Sequence, residues 1–131
     1  MVIDASALVA IADGEPEADQ FIDALGAARG AAISAINAVE TGIILIGRRR
    51  LRDVDELDRW LSDLKISVDL SNATHAAALA AYLTFGRGYH RARLNLADCF
   101  AYALAKALDA PLLYKGDDFA FTDIRSALGP T

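Results

Sequence analysis

The chain has 131 residues, 54% apolar and 24% charged, with a single cysteine and a formal net charge of -5. That length suits one domain, residues 1–131, with a core that needs no covalent staples, and one cysteine excludes an internal disulfide. No apolar run approaches a membrane span, the acidic balance argues against a simple electrostatic nucleic-acid binder, and a start of Met1, Val2, Ile3, Asp4 lacks a charged leader, so a cytoplasmic protein is expected.

Met1 to Ile3 read as a short buried strand and Ala5 to Ala12 as the helix after it, with Asp4 at the junction. Gly14 breaks the chain. Glu15, Pro16, Glu17 and Asp19 then predict a second helix running to about Ala28, since proline suits the first helical position and acids suit the first turn. Phe21, Ile22 and Leu25 are its expected buried residues. Ala31 to Ile33 give a second strand, and Ser34 caps a third helix from Ala35 to about Ile46. Asp53 to Leu64 form an amphipathic fourth helix that turns Val54, Leu57, Trp60, Leu61 and Leu64 inward. Ile66, Val68 and Leu70 alternate as a third strand, and Ser71 opens a fifth helix through Thr74, Ala77, Leu79 and Leu83. A loop rich in Gly, Arg and His, Thr84 to Arg93, leads into a helix from about Leu94 to Leu108 that is apolar nearly all round. Such a helix is a core element, and Cys99 within it reads as a buried thiol. Pro111 to Tyr114 have the length of a buried strand, and Lys115 to Phe119 form a turn. Asp123 and Ile124 are expected to begin a small last strand, and the final residues to fray.

The order strand, helix, helix, repeated three times and closed by a strand, predicts an α/β fold: a central parallel sheet of four to five strands with helices on both faces. Against that pattern the acids stand out. Asp4 ends the first strand, Glu40 projects from a helix face that also carries Ile36, Ile43 and Ile44, Asp98 lies in the first turn of the central helix, and Asp117 and Asp118 follow the last main strand. Each has an ordinary role open to it: Asp4 as a helix cap, Asp98 in a capping box with Asn95, Asp117 and Asp118 as turn residues, Glu40 against the following arginines. The topology nevertheless brings them all to the carboxyl edge of the sheet, where open α/β sheets bind ligands. Carboxylates gathered there repel one another unless a cation lies between them, and oxygen-only ligation suits one or two Mg²⁺ or Mn²⁺ ions. Such a site suits phosphodiester hydrolysis, with a metal-acidified water as nucleophile and the phosphate charge offset during in-line displacement.

Four blocks carry a resemblance: Met-Val-Ile-Asp-Ala-Ser-Ala-Leu at the start, Glu40 in the third helix, Leu-Asn-Leu-Ala-Asp-Cys-Phe-Ala-Tyr-Ala-Leu-Ala around Asp98, and Leu-Leu-Tyr-Lys-Gly-Asp-Asp-Phe. Together, over the whole chain, they resemble PIN-domain ribonucleases, specifically the VapC toxins of toxin–antitoxin pairs. The resemblance implies a PIN-like three-layer α/β/α fold and a Mg²⁺- or Mn²⁺-dependent endoribonuclease, inhibited by a small VapB-type antitoxin and usually homodimeric. By position, Asp4, Glu40 and Asp98 match the family's first three acids and Asp117 the fourth, with the adjacent Asp118 as the alternative. Ser6 and Asn95 match polar positions that order the site, or else serve as caps.

An acidic protein that cuts RNA needs local positive charge. Arg48, Arg49, Arg50 and Arg52 form one cluster, and Arg87, His90, Arg91 and Arg93 a second that leads straight to Asp98. The second is the expected phosphate grip, with Lys115 either touching phosphate or holding an acid in place. Apolar grooves among the second, third and fourth helices would suit an antitoxin helix. Two other functions fit the pattern less well: a catalytically silent RNA- or protein-binding module of the same fold, and a phospho-accepting receiver-type domain, which should carry adjacent acids after its first strand.

Overall fold

The computed structural model describes residues 1–129, and the expected fraying of the last residues falls partly outside them. The elements are β1 (Val2–Ile3), α1 (Ala5–Asp13), α2 (Ala18–Ala27), β2 (Ala31–Ser34), α3 (Ala35–Gly47), α4 (Val54–Asp63), β3 (Ile66–Asp69), α5 (His75–Phe85), α6 (Leu96–Ala107) and β4 (Leu112–Leu113), with a 3-10 turn at Asp118–Phe121. This is the order expected. The four strands form one parallel sheet in the order β3-β2-β1-β4. The chain thus moves outward from β1 in one direction and returns to its other side with β4, which makes the end of β1 the topological switch point.

Alternation along the strands separates two cores. Ile3, Ile33, Ile66 and Leu113 pack with α1 to α4 through Leu8, Phe21, Leu45, Leu57 and Leu61. Val2 and Leu112 face the opposite way and pack with α5 and α6 through Ala78, Ala81, Leu94, Cys99, Leu104 and Phe119. The three-layer α/β/α arrangement follows. Cys99 is buried, and burial pushes its thiol up to about 11.

Side-chain caps place the helix starts. Ser34, Asp53 and Thr74 accept from backbone N–H groups of Asn37, Glu56 and Ala77. The fifth helix therefore begins at His75 and not at Ser71, because Asp69 at the end of β3 accepts from the backbone N–H groups of Ser71 and Asn72 and holds them in a turn. α2 likewise starts at Ala18, with Glu15 to Glu17 forming a turn before it.

Several residues expected inside lie on the surface. Ile22, Val54, Val68 and Leu70 are exposed, since β3 is the edge strand and the outer faces of α2 and α4 meet no further layer. Ile36 and Ile43, which flank Glu40, are exposed too, so that face of α3 is apolar but unburied. No strand forms at Asp123 and Ile124. The Asp123 carboxylate is engaged by Tyr102 and Lys106, and among the described residues a single bridge, Ser126 to Leu112, extends the sheet. Arg48 and Arg50 both pair with Asp13, and Arg52 with Glu56, so three of the first cluster's cations are held at the surface.

Leu104 is wholly buried where α6 meets the sheet. Leu104→Ala is expected to destabilise the chain by about 2–5 kcal/mol, read as a lower urea midpoint with an unchanged slope.

Candidate active site

β1 delivers Asp4 to the switch point and leaves it no freedom to withdraw. Its N–H donates to the Leu113 carbonyl at 2.9 Å, and its own carbonyl accepts from Ala7 at 3.1 Å. The side chain caps α1, with Oδ2 accepting from the Ser6 N–H at 3.0 Å. The residue is 3% exposed, and Oδ1 is buried without a hydrogen-bond partner. Burial raises the Asp4 pKa, the Ser6 hydrogen bonds oppose the rise, and the charge of Asp118 adds to it.

Glu40 reaches the same place from α3. Its pKa is raised first by burial and then by the charge of Asp4, against a hydrogen bond from the Asn37 side chain. Asp98 comes from the first turn of α6, where it completes the expected capping box. Asn95 N–H donates to Asp98 Oδ2 at 3.0 Å and Asp98 N–H to Asn95 Oδ1 at 2.8 Å. Burial pushes its carboxyl up to about 7, with Asp4, Glu40 and Asp118 adding repulsion. A cavity of about 310 Å³ is lined by all three acids together with Ser6, Asn95, Glu15, Arg48 and Lys115.

The two adjacent acids after β4 go different ways. Asp118, at the start of the 3-10 turn, acts electrostatically on both Asp4 and Asp98. Both acids are exposed, and Asp117 borders a larger hollow of about 810 Å³ behind β4, beside Pro111, Tyr114 and the C-terminal segment. The turn is tied to the site by the Lys115 N–H, which donates to Ser6 Oγ at 3.0 Å. Ser6 therefore holds both Asp4 and the approach to Asp118. The Lys115 ammonium pairs with Glu15 and with Glu17, and the hydrogen bond it donates to Glu15 holds its pKa above the ordinary value.

The fit to a cation rests on the acids themselves. An isolated buried carboxylate oxygen is very costly, Asp4 Oδ1 is one, and two further carboxyls of raised pKa share its cavity. Among the described residues Asp4, Glu40 and Asp98 make no ion pair with Lys or Arg. The donor set is oxygen-only, which fits Mg²⁺ or Mn²⁺. The acids surround the cavity without closing on its centre: among the described residues no three His, Cys, Asp or Glu side chains stand in ligating geometry.

Arg87, Arg91 and Arg93, with Tyr89 and His90, line a hollow of about 570 Å³ in the loop before α6. That loop is tightly built. Leu94 N–H donates to the Phe85 carbonyl and Arg87 N–H to the Leu94 carbonyl, and a Cβ on Gly86 would stand 2.3 Å from the Tyr82 carbonyl. His90 is held by its contact with Phe85 and by accepting from the Ala92 N–H. Arg91 lies 4.9 Å over the Phe121 ring. Sequence reasoning overlooked Asn37 and Thr41, buried polar residues within the apolar pattern of α3, and the signal available was a polar residue one turn before Glu40.

The family model of the PIN domain matches residues 1–124. This chain belongs to the PIN-domain family. Within that family it stands among the VapC ribonucleases: it is 44% identical over 131 residues to ribonuclease VapC30 of Mycobacterium tuberculosis, covering 99% of this chain and 100% of that one. It is 42% identical over 125 residues to a ribonuclease VapC of Mycolicibacterium smegmatis, covering 95% of this chain and 97% of the other. The solved structure of VapC20 from Mycobacterium tuberculosis, a toxin that cleaves the sarcin-ricin loop, matches with a TM-score of 0.70 over 95% of this chain and 98% of that chain. At 17% identity that likeness shows the PIN fold alone. PIN-family membership replaces the receiver-type alternative.

A carboxyl raised to about 7 in the folded state stabilises the fold while protonated, so its contribution is complete below about pH 4 and is lost as pH rises through 7. In chelator, the melting temperature is expected to fall between pH 5 and pH 8, the Asp98 share over that range amounting to at most about 3 kcal/mol. Asp98→Asn should flatten much of that slope in the same melting series, and an unchanged slope would contradict the assignment.

Proposed function

We propose that this chain is a divalent-cation-dependent endoribonuclease, the toxin of a toxin–antitoxin pair, working in the cytoplasm as one PIN-like unit over residues 1–131. The observation that carries this is the unpartnered, buried Oδ1 of Asp4 in a cavity shared with Glu40 and Asp98 at the carboxyl edge of the sheet. Asp4, Glu40 and Asp98 would hold one or two Mg²⁺ or Mn²⁺ ions. Asp118 is the fourth acid in this reading, in preference to Asp117, because its charge acts on two of the other three. A bound cation supplies charge compensation for the phosphate and acidifies water.

The chain's own groups supply the rest. Asn95 orients Asp98, and Ser6 orients Asp4 and ties the acidic turn to it. Lys115, engaged with Glu15 and Glu17, steadies the turn that carries Asp118. Arg87, Arg91 and Arg93 make no ion pair among the described residues, so their charge is free to meet RNA phosphates. Arg93 leads directly into α6, which places the grip next to Asp98.

Ile36, Val39, Ile43 and Ile46 form an exposed apolar stripe on α3, with Val39 60% and Ile43 69% exposed, and Ile22 of α2 is exposed as well. This stripe supports a small VapB-type antitoxin that lays an apolar helix face on it, on the same helix that carries Glu40. The exposed Leu79 and Leu83 of α5 and Leu96 of α6 support a homodimer through a second surface.

Purified protein incubated with mixed tRNA and rRNA and either Mg²⁺ or Mn²⁺ is expected to release discrete fragments. Chelator, Asp4→Asn and Asp98→Asn should each cut the rate at least about 100-fold. Asp118→Asn is expected to lose far more activity than Asp117→Asn, and the reverse order would move the fourth ligand to Asp117. Replacing Arg87, Arg91 and Arg93 together by Ala should raise KM about tenfold or more, change kcat little and weaken the salt dependence of binding.

A further inference from the structure

Asn37 is 0% exposed, on the inward side of a helix whose other inward residues are mostly apolar. Its polar groups are committed. Its backbone N–H donates to Ser34 Oγ at 3.1 Å, the Ser34 hydroxyl donates in turn to Asn37 Oδ1, and Nδ2 donates to the Ala97 carbonyl at 3.0 Å. Ser34 decides which way the amide faces, because by giving its hydrogen to Oδ1 it leaves Nδ2 pointing to α6.

The place of this amide in the chain is what matters. Ala97 directly precedes Asp98, and Glu40 follows Asn37 by three residues, just under one helical turn. Among the described residues this is the one side-chain hydrogen bond that joins α3 to α6, and it is made one residue before Asp98 and three before Glu40 in the chain. An apolar side chain of the same volume would serve packing at least as well, since a buried amide–carbonyl bond adds only modest net stability. A hydrogen bond does what apolar contact does not: it fixes the register of one helix against the other.

We propose that Asn37 is a positioning residue of the active site, which sets the separation of α3 and α6 and through it the spacing of Glu40 and Asp98 across the cavity. The proposal rests on the reading of that cavity as a divalent-cation site. Partners that orient ligating side chains typically change metal affinity by about 10- to 100-fold when removed. Thr41 supplies the control, because it is equally buried on α3, yet its hydroxyl donates to the Asn37 carbonyl at 2.8 Å within the helix and makes no hydrogen bond to α6.

The test titrates Mn²⁺ alone into the full chain and reads free Mn²⁺ by electron paramagnetic resonance, beside kcat and KM on RNA, at a temperature where every variant is folded by circular dichroism. Asn37→Leu keeps the volume and Asn37→Ala keeps the helix, so a packing defect in one is not shared by the other. Both are expected to bind Mn²⁺ at least tenfold more weakly and to lose kcat with KM for RNA within about twofold, whereas Thr41→Val binds Mn²⁺ within twofold of wild type. Wild-type Mn²⁺ affinity in the folded Asn37 variants, or an equal loss in Thr41→Val, overturns the proposal. Wild type that binds no more Mn²⁺ than Asp98→Asn overturns the cation reading itself, and this inference falls with it.

Discussion

The buried carboxylate of Asp4 is the constraint to which the rest of the molecule answers. A charged group this enclosed is unfavourable by several kcal/mol unless it is paired, protonated or bound to a cation, and while the Ser6 N–H donates to Oδ2, Oδ1 is left without a partner. The backbone on both sides is locked, by Leu113 before the side chain and Ala7 after it. Two-residue β1 lies between β2 and β4, so Asp4 cannot move to solvent without breaking the centre of the sheet. The cost is localised where it is useful.

Around Asp4 the arrangement concentrates negative charge and then lets backbone dipoles moderate it. α1 and α6 both begin at this edge, and their N-terminal N–H groups favour the carboxylates of Asp4 and Asp98. The nearest cations are turned to other partners: Arg48 to Asp13, Lys115 to Glu15 and Glu17. What remains is a cavity walled by Asp4, Glu40 and Asp98, with Asp118 acting on it electrostatically.

Charge is segregated at a larger scale in the same way. The chain is acidic as a whole, and its pairing uses up most of the Arg48 to Arg52 run, yet the loop from Arg87 to Arg93 keeps three arginines free of ion pairs among the described residues. That loop closes through main-chain bonds to α5 and runs into α6. An acidic protein can thereby present a local basic surface to a polyanion, and the same helix that begins after the surface carries Asp98. The exposed apolar stripe of α3 is a separate surface, although it shares a helix with Glu40, so whatever covers it lies close to the site.

The amino-acid sequence by itself determined the element order and the three-layer fold, and it singled out Asp4, Glu40 and Asp98, which share one cavity, because local spacing carries that information. Helix periodicity, caps such as Ser34 and Asn95, and short apolar runs are properties of neighbouring residues. Tertiary structure decided the rest. Whether Ile22, Val54 or Ile43 is buried depends on which face meets another layer, and periodicity marks a face without saying what lies against it. Asp117 and Asp118 are chemically alike in sequence and both exposed, and only tertiary structure sets Asp117 on the hollow behind β4 while the charge of Asp118 is felt at Asp4. Asn37 was invisible for the same reason: its meaning lies in a bond to Ala97, 60 residues away, and local sequence carries no record of a contact made only when two helices are laid side by side.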